Sequence, residues 1–287
     1  MNRAFIGLEN INPDSLAGAK KRQNKITDYR VMLLDWKNAG VITYAGYIIG
    51  FPNDTKETIR RDIEIIKREL PIDILEFFIL TPLPGSEDHK VLYNKGIWMD
   101  PDMNKYDTNH VVVDHPLMSK AELEGAYLDA WKWFFTPQDM ETVMRRAAAC
   151  GVSAGKVMFM LLWFFFSIRY AGVHPLDSGY FRMRFRKDRR SGFARENALT
   201  FYPRDLFEIV HNHFWMGYWL VRMGVVRQRI RYDKQVHHYT DLSLTPPHGD
   251  EYADLALFGT TRGGQAAVAK RLKEDAARDA LREVAVC

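Results

Sequence analysis

The sequence is poor in cysteine, with only Cys150 and Cys287 among its 287 residues. Two cysteines so far apart in the chain exclude a disulfide framework and fit a reducing compartment. The first four residues contain no apolar signal core, so we expect a cytoplasmic protein rather than an exported one.

Long apolar runs and common catalytic signatures are also missing. Residues 157–168 are apolar except for Ser167, but a helix of that length spans about 18 Å, well short of the ~30 Å hydrocarbon core of a bilayer. His-Glu-x-x-His and Gly-x-Ser-x-Gly do not occur, and residues 259–264 lack the Lys-Ser/Thr end of a phosphate-binding loop. The sequence therefore carries no signature of a zinc peptidase, an α/β hydrolase or a P-loop nucleotide hydrolase.

The net charge of +4 hides an uneven distribution. Residues 1–150 hold 19 basic and 22 acidic side chains, whereas residues 169–234 hold 14 basic and 6 acidic ones. Of the 37 aromatic residues, 19 lie between residues 151 and 246. We therefore predict two domains, 1–150 and 151–287.

The pattern of the first half predicts strands that alternate with helices. Residues 4–8, 41–49 and 74–80 are short apolar or β-branched runs, which are typical of buried strands. Two helices fall between them, each with apolar side chains three or four residues apart: Ile26, Tyr29, Leu33 and Trp36 in the first, and Ile59, Ile63, Ile66 and Leu70 in the second.

Both helices carry end signals. Gly40 closes the first helix as a left-handed cap, and Asp54 with Glu57 predicts a capping box for the second. Strands alternating with helices predict a parallel sheet with right-handed crossovers. This local pattern does not decide between a barrel and an open sheet.

The strand ends carry the candidate site. Glu9 follows Gly7 by two residues and places a carboxylate at the mouth of the first strand, where it can accept hydrogen bonds from sugar hydroxyls or an ammonium group. Gly46 and Gly50 bracket Ile48 and would let a flat ring approach the strand backbone. Each motif taken alone is equally well explained by turn residues that bind no ligand.

Taken together and in this order, the strand-end motifs resemble the second half of a radical S-adenosylmethionine (SAM) enzyme barrel. Gly7-Leu8-Glu9-Asn10 is similar to the family's fourth-strand Gly-x-Glu-Ser segment, with Asn10 in place of serine. The other matching segments are Lys20-Lys21, Gly46-x-Ile48-x-Gly50, Gly50-Phe51-Pro52-Asn53-Asp54-Thr55 and Leu80-Thr81-Pro82-Leu83-Pro84-Gly85. The resemblance covers residues 4 to about 146 and is greatest to members that carry an upstream cobalamin-binding domain.

The resemblance implies a fold, cofactors and a site. The fold would be a partial (β/α) TIM-type barrel with parallel strands, followed by a mostly helical C-terminal domain. The cofactors would be SAM and a [4Fe-4S] cluster held by a Cys-x3-Cys-x2-Cys loop. Glu9 would bind the ribose or amino-acid end of SAM. The other cofactor-binding residues would be Gly46, Ile48 and Gly50 around the adenine, Thr81 and Pro82 beside it, and Phe51 and Pro52.

The chain departs from this family in one decisive respect, because no Cys-x3-Cys-x2-Cys occurs in it. Met1 also stands at the edge of what would be the fourth family strand. We therefore expect the C-terminal portion of a larger, split or decayed enzyme, such as a cobalamin-dependent methyltransferase, that is inactive alone. Its partner would be an N-terminal half-barrel that brings the [4Fe-4S] cluster, and cobalamin would belong to the parent enzyme.

Two other functions stay open. One is a non-catalytic remnant that survives as a binding module, and the other is a different α/β enzyme that uses the strand ends for an ordinary nucleotide. Binding of SAM or of a nucleotide by this chain without iron would separate these functions.

The basic, aromatic second half is open to three interpretations. Residues 182–186 alternate arginine with apolar side chains, which suits a strand with one basic face, and residues 214–226 form a second apolar stretch. This half is a helical lid or packing domain near a small apolar or planar substrate, or a surface that rests peripherally on an anionic membrane. The third interpretation, a nucleic-acid surface, has no binding motif to support it.

Two remaining features are of lesser weight. His110 and His115 with Asp107 and Asp114 are a metal candidate that we do not adopt, and we predict no metal site. Residues 266–286 have mixed charges at helical spacing, which predicts an exposed amphipathic helix.

Overall fold

Three parallel strands form the sheet in a computed structural model that describes residues 2–12, 15, 26–189 and 192–245. They are β1 (Arg3–Glu9), β2 (Ile42–Ile49) and β3 (Ile74–Ile79), in the spatial order β1-β2-β3. The predicted α/β class and the three predicted strands are confirmed.

Among the described residues, four helices lie between β1 and residue 135: α1 (Ile26–Asn38), α2 (Lys56–Glu69), α3 (Glu87–Asn94) and α4 (Lys120–Phe134). Ile59, Ile63 and Ile66 form the buried stripe of α2, as predicted. Helix α4 packs on β3, where the rings of Phe77 and Trp131 meet edge to face with centroids 5.3 Å apart. The sheet, α1, α2 and α4 thus share one apolar core, to which α3 contributes no buried residue.

The helix ends follow the predictions only in part. Gly40 has a φ of 70°, the left-handed conformation expected after α1. The predicted capping box of Asp54 with Glu57 is wrong, because Thr55 is the N-cap of α2 and Thr58 is its reciprocal partner. Asp54 does not cap the helix because its carboxylate accepts hydrogen bonds from the loop that precedes it.

Beyond the sheet the described chain is helical. It contains α5 (Pro137–Ala149), α6 (Ala154–Arg169), α7 (Ala198–Tyr232) and the 3-10 turns Met103–Lys105, Pro175–Asp177, Gly179–Phe181, Val236–His238 and Leu242–Leu244. The apolar helix α6 packs against α5 and α7. The predicted boundary between residues 150 and 151 falls between α5 and α6, and it stays a prediction.

The predicted strand at residues 182–186 is wrong, since these residues form no regular element. The outer edge of β3, beside which one further strand could pair, is already taken. The Ile79 N–H donates to the Thr108 carbonyl (2.6 Å), and His174 Nε2 donates to the Phe77 carbonyl (3.2 Å). An alternating pattern forms a strand only where an edge is free to pair with it.

The two faces of the sheet differ in character. The helix-covered face holds the buried side chains of Ile6, Leu8, Ala45, Tyr47, Ile49, Leu75, Phe77 and Ile79. The opposite, open face includes Phe5, Tyr44, Ile48 and Phe78. On that face the strand register places Gly7 beside Gly46 and Gly46 beside Glu76, which form one row across the three strands.

Charged side chains fix the amino-terminal end of the strands. Lys37 forms a buried ion pair with Asp73, and the other Asp73 oxygen accepts the Thr43 N–H (2.9 Å). Arg146 pairs with Asp241 (2.6 Å) nearby in the C-terminal part. In parallel α/β folds this end serves stability, whereas ligands bind at the carboxyl ends of the strands.

Some predicted features lie outside the described residues: Lys20-Lys21, residues 259–264 and the predicted helix at 266–286. None of the described helices combines the length and the apolar character that crossing a membrane requires.

Candidate functional site

The carboxyl ends of the strands meet at one edge of the sheet, because the three strands are parallel neighbours. Glu9 is the last residue of β1, Ile48 is the second-to-last residue of β2, and Thr81 follows β3. The residues that the motifs singled out therefore lie along one edge, which we call the strand-end edge.

The end of β1 is bulged. The register passes from Gly7 opposite Gly46 to Glu9 opposite Tyr47, and Glu9 has a φ of 63°. The Glu9 carboxylate folds back over Gly7, where an added Cβ would lie 3.0 Å from Oε1. The Tyr29 hydroxyl donates to the Gly7 carbonyl (2.9 Å), and burial followed by the charge of Glu9 raises the Tyr29 pKa. Bulges commonly re-aim side chains next to ligand sites, and this one sets the position of the carboxylate.

Asn10 joins the ends of β1 and β2. It is buried, its side-chain amide donates to the Ile48 carbonyl (3.4 Å), and its side-chain oxygen accepts the Asn12 N–H (2.7 Å). The departure from Gly-x-Glu-Ser thus retains a polar side chain that holds the two strand ends together.

Two rings of the chain itself lie over Gly46. An added Cβ there would be 3.0 Å from Phe5 Cζ and 3.2 Å from Phe78 Cε2. Phe5 packs against Tyr44 with ring centroids 4.8 Å apart, yet its side chain is 54% exposed. The space that Gly46 leaves is therefore filled by these rings, and a flat ligand would stack on the exposed side of Phe5 or displace it.

The loop after β2 is held from two sides. Gly50 has a φ of 100°, and Asp54 Oδ2 accepts the N–H groups of Gly50 (2.9 Å) and Phe51 (3.0 Å). Burial raises the pKa of Asp54, although these hydrogen bonds oppose the rise. On the other side, His115 Nε2 donates to the Phe51 carbonyl (2.8 Å) while Nδ1 accepts the Met118 N–H (3.1 Å). The motifs did not predict that Asp54 and His115 hold this loop through hydrogen bonds to its backbone.

The other predicted residues lie on the two loops that flank the edge. Phe51 is buried and Pro52 is exposed at the tip of its loop. The Thr81 hydroxyl donates to the Ile79 carbonyl (3.0 Å), and Pro82 is buried beside it. Both loops are thus ordered by their own hydrogen bonds and packing.

Glu76 is a candidate residue that sequence reasoning missed. It is 1% exposed, lies beside Gly46 on the open face, and its Oε1 has no hydrogen-bond partner among the described residues. His174 Nδ1 is 3.8 Å away but accepts the Leu176 N–H, and burial lowers the His174 pKa. Burial raises the pKa of Glu76 to about 7. The one available signal was a lone acid in the apolar run of β3.

Among the described residues, no cysteine lies at this edge to supply the thiolates that an iron–sulfur cluster needs. Cys150 follows α5, burial raises its pKa, and the nearby charges belong to Lys37 and Asp73 at the opposite end of the strands. A cluster is held by several cysteines, so the residues of this chain do not fit one.

The metal candidate is not assembled either. His110 Nδ1 contacts the Asp107 carboxylate (2.9 Å), whereas His115 is turned to the loop after β2. Within the described part of the chain, no group of three or more His, Cys, Asp or Glu side chains is placed to bind a metal ion.

The strand-end edge combines a carboxylate, apolar surface and fixed backbone. Glu9 supplies an acceptor, while Phe5 and Ile48 supply surface on which a flat ring can pack. This combination suits a nucleoside that carries hydroxyl or ammonium groups.

Two curated proteins of Chlorobaculum tepidum are similar to part of the chain. A bacteriochlorophyllide d C-12(1)-methyltransferase is 27% identical over 109 residues, which is 38% of this chain and 23% of that protein. A bacteriochlorophyllide d C-8(2)-methyltransferase is 25% identical over 140 residues, which is 46% of this chain and 30% of that protein. The chain is thus distantly similar to methyltransferases over less than a third of their length. No protein-family model and no solved structure matches it.

Proposed function

We propose that this chain is the SAM-binding later part of a radical SAM enzyme, folded as a partial (β/α) barrel, and that the whole enzyme is a methyltransferase. The observation that carries the proposal is the strand-end edge. Its support is that three neighbouring parallel strands carry Glu9, Ile48 and Thr81 at or just after their carboxyl ends, beside a loop held by hydrogen bonds. The distant similarity to two methyltransferases supports the same class.

In this proposal the chain binds and orients SAM, which supplies the reactive carbon groups when bound. Glu9 accepts hydrogen bonds from the ribose hydroxyls or the amino group. The adenine packs on Ile48 and on the exposed ring of Phe5, next to Gly46. Asp54 keeps the neighbouring loop ordered before SAM arrives, which lowers the entropic cost of binding.

The rest of the enzyme supplies what this chain lacks. Because Cys150 lies at the far end of the strands, the cluster thiolates come from a cysteine-bearing half-barrel, in the same chain or in a partner. The chain is then inactive alone, and cobalamin belongs to the parent enzyme. For the substrate we propose a small molecule that is apolar or planar, and planarity is what it would share with the bacteriochlorophyllide d named for the two similar proteins.

Calorimetry with SAM and the purified chain tests this proposal. We expect SAM to bind without iron, and Glu9→Gln to weaken binding about tenfold or more without changing the melting temperature, because a hydrogen bond to a charged group contributes roughly 1.5–3 kcal/mol. The matched control is Glu57→Gln, at an exposed position on α2, which should bind as the wild type does. No SAM binding, or equal binding by Glu9→Gln, contradicts the proposal. Tighter binding of ATP than of SAM would favour a different nucleotide-using α/β enzyme.

A second candidate is a binding module that rests on an anionic membrane. Helix α7 favours it, because large apolar side chains along one of its faces are 60–83% exposed: Leu199, Leu206, Val210, Phe214 and Val221. Arg222, Arg229 and Arg231 add positive charge toward its C-terminal end. A basic amphipathic helix of this kind suits the headgroup region of anionic lipid.

A further inference from the structure

A cleft of about 530 Å³ lies between α4, α6 and α7, away from the strand-end edge. Six aromatic side chains line it: Trp131, Phe135, Phe164, Phe165, Tyr170 and Trp219. Its volume falls within the range of sites that hold small molecules.

The aromatic wall of the cleft is ordered. The rings of Trp131 and Phe135 stack with an angle of 17° between their planes, and Phe135 and Phe164 stack with an angle of 19°. On the facing side, Trp219 Nε1 donates to the Tyr170 hydroxyl (3.0 Å). A wall of aromatic rings held in fixed orientations favours a flat aromatic ligand over a flexible chain.

The charged side chains that line the cleft are basic. Lys132 and Arg169 line it, and none of the described residues that line it is acidic. Lys132 forms an ion pair with Asp129 (2.8 Å), whereas the exposed Arg169 forms no ion pair within the described residues. A ligand that carries an acidic group would pair with Arg169 while its apolar body lies on the rings.

We propose that this cleft binds a flat aromatic molecule that carries one acidic group. The site is separate from the proposed SAM site. Trp131 contacts Phe77 on the helix-covered face of the sheet, whereas Gly46 and Glu76 belong to the open face. The proposal therefore goes beyond the proposed function and stands without it.

Fluorescence titration of the full chain with two dyes tests the proposal. Anilinonaphthalene sulfonate carries a flat naphthalene ring and an acidic group, and N-phenylnaphthylamine has the same rings without the acid. We expect the sulfonate to bind one site with energy transfer from tryptophan. Arg169→Gln should weaken the sulfonate about tenfold and leave the uncharged amine unchanged. Leu128→Trp, at a half-exposed position on the rim, should fill the cleft and weaken both dyes.

Matched variants separate this cleft from other apolar surface. Phe214→Ser, on the exposed face of α7, and Arg182→Gln, at another exposed arginine, should leave both dyes bound as in the wild type. Ile168→Trp repeats the filling test should Leu128→Trp lower the melting temperature. Equal binding by the filled variants, or an Arg169→Gln effect on both dyes alike, overturns the proposal. Displacement of the dye by dodecanoate but not by naphthoate would overturn the flat-ring assignment and point to an acyl chain.

Discussion

Among single residues, Glu76 combines burial with a carboxyl group that lacks a hydrogen-bond partner among the described residues. Its pKa of about 7 means that the folded protein holds a proton that the unfolded chain releases above its usual pKa of about 4.5. Burial, and to a smaller extent the charge of Glu76, raises the pKa of the neighbouring Tyr44. Burial lowers the pKa of His174, which favours the neutral imidazole. No cation therefore offsets ionisation of Glu76 in the folded state.

This environment predicts a stability that depends on pH. The contribution of neutral Glu76 is complete below about pH 4.5 and is lost as the pH rises through about 7. Glu76→Gln keeps the shape and removes the titration, so the variant should match the wild type near pH 5 and exceed it near pH 8, by at most about 3 kcal/mol. Urea unfolding at the two pH values measures the difference.

A surface variant provides the control for this prediction. Glu57→Gln, at an exposed position on α2, should shift stability by the same small amount at both pH values, because water solvates that carboxylate. A Glu76→Gln variant that is less stable than the wild type near pH 8 would mean that the ionised carboxylate is stabilised in the folded protein.

Residues that act through the backbone were predictable, whereas residues that act through distant contacts were not. The positive φ at Gly40 was predicted because glycine adopts the left-handed conformation without steric cost. The sequence allows either Asp54 or Thr55 to be the N-cap of α2. The structure shows that Thr55 caps the helix, while Asp54 accepts the Gly50 N–H of the preceding loop. The burial of Glu76 depends on His174, which the fold brings from far along the chain.

Among the elements, those with a regular spacing of apolar side chains were predicted correctly. The element whose formation depends on pairing with a free strand edge was not. The three strands and the stripe of α2 were recognisable because apolar spacing reports which side meets the core. The alternation at residues 182–186 gave the wrong result, since these residues form no regular element and the edge of β3 is closed by Thr108 and His174. Helix α7 extends far beyond the apolar stretch at 214–226 and contains Pro203, which sequence rules alone would place at a helix start.

The exposed apolar face of α7 predicts binding to anionic vesicles. The chain should float with vesicles that contain phosphatidylserine and not with vesicles of phosphatidylcholine alone, and binding should weaken as salt screens the arginines. A double variant, Val210→Asp with Phe214→Asp, places charge on that face and should abolish flotation. Flotation followed by quantification of the protein in each fraction measures the effect.

A charge placed elsewhere controls for general effects of the substitution. Leu176→Asp introduces the same carboxylate at a residue that is 68% exposed and lies off α7, and it should float as the wild type does. Equal binding to neutral vesicles contradicts the electrostatic part of this prediction. A dimer in solution that Phe214→Asp dissociates would show instead that a second copy covers the face.

At the scale of the whole molecule, the two edges of the sheet are not alike. The outer edge of β3 is closed by the chain itself, whereas β1 pairs only with β2 among the described residues. The Ile42 N–H donates to the Asn2 carbonyl (3.2 Å), so alternate peptide groups of β1, including that of Phe5, face away from β2. An exposed strand edge is a template for pairing with another strand. This is the edge at which the proposed half-barrel partner would join.

The open edge predicts self-association of the chain in the absence of a partner. Sedimentation should show dimers that increase with concentration, and Phe5→Pro should shift the chain to monomer, because proline removes an outward N–H without removing a hydrogen bond to β2. Phe5→Ser is the matched control, since it removes the ring over Gly46 but keeps that N–H, and it should still dimerise. If serine prevents association as fully as proline does, the apolar open face is the contact rather than the strand edge. A wild-type chain that stays monomeric and melts cooperatively would argue against a missing strand partner at β1.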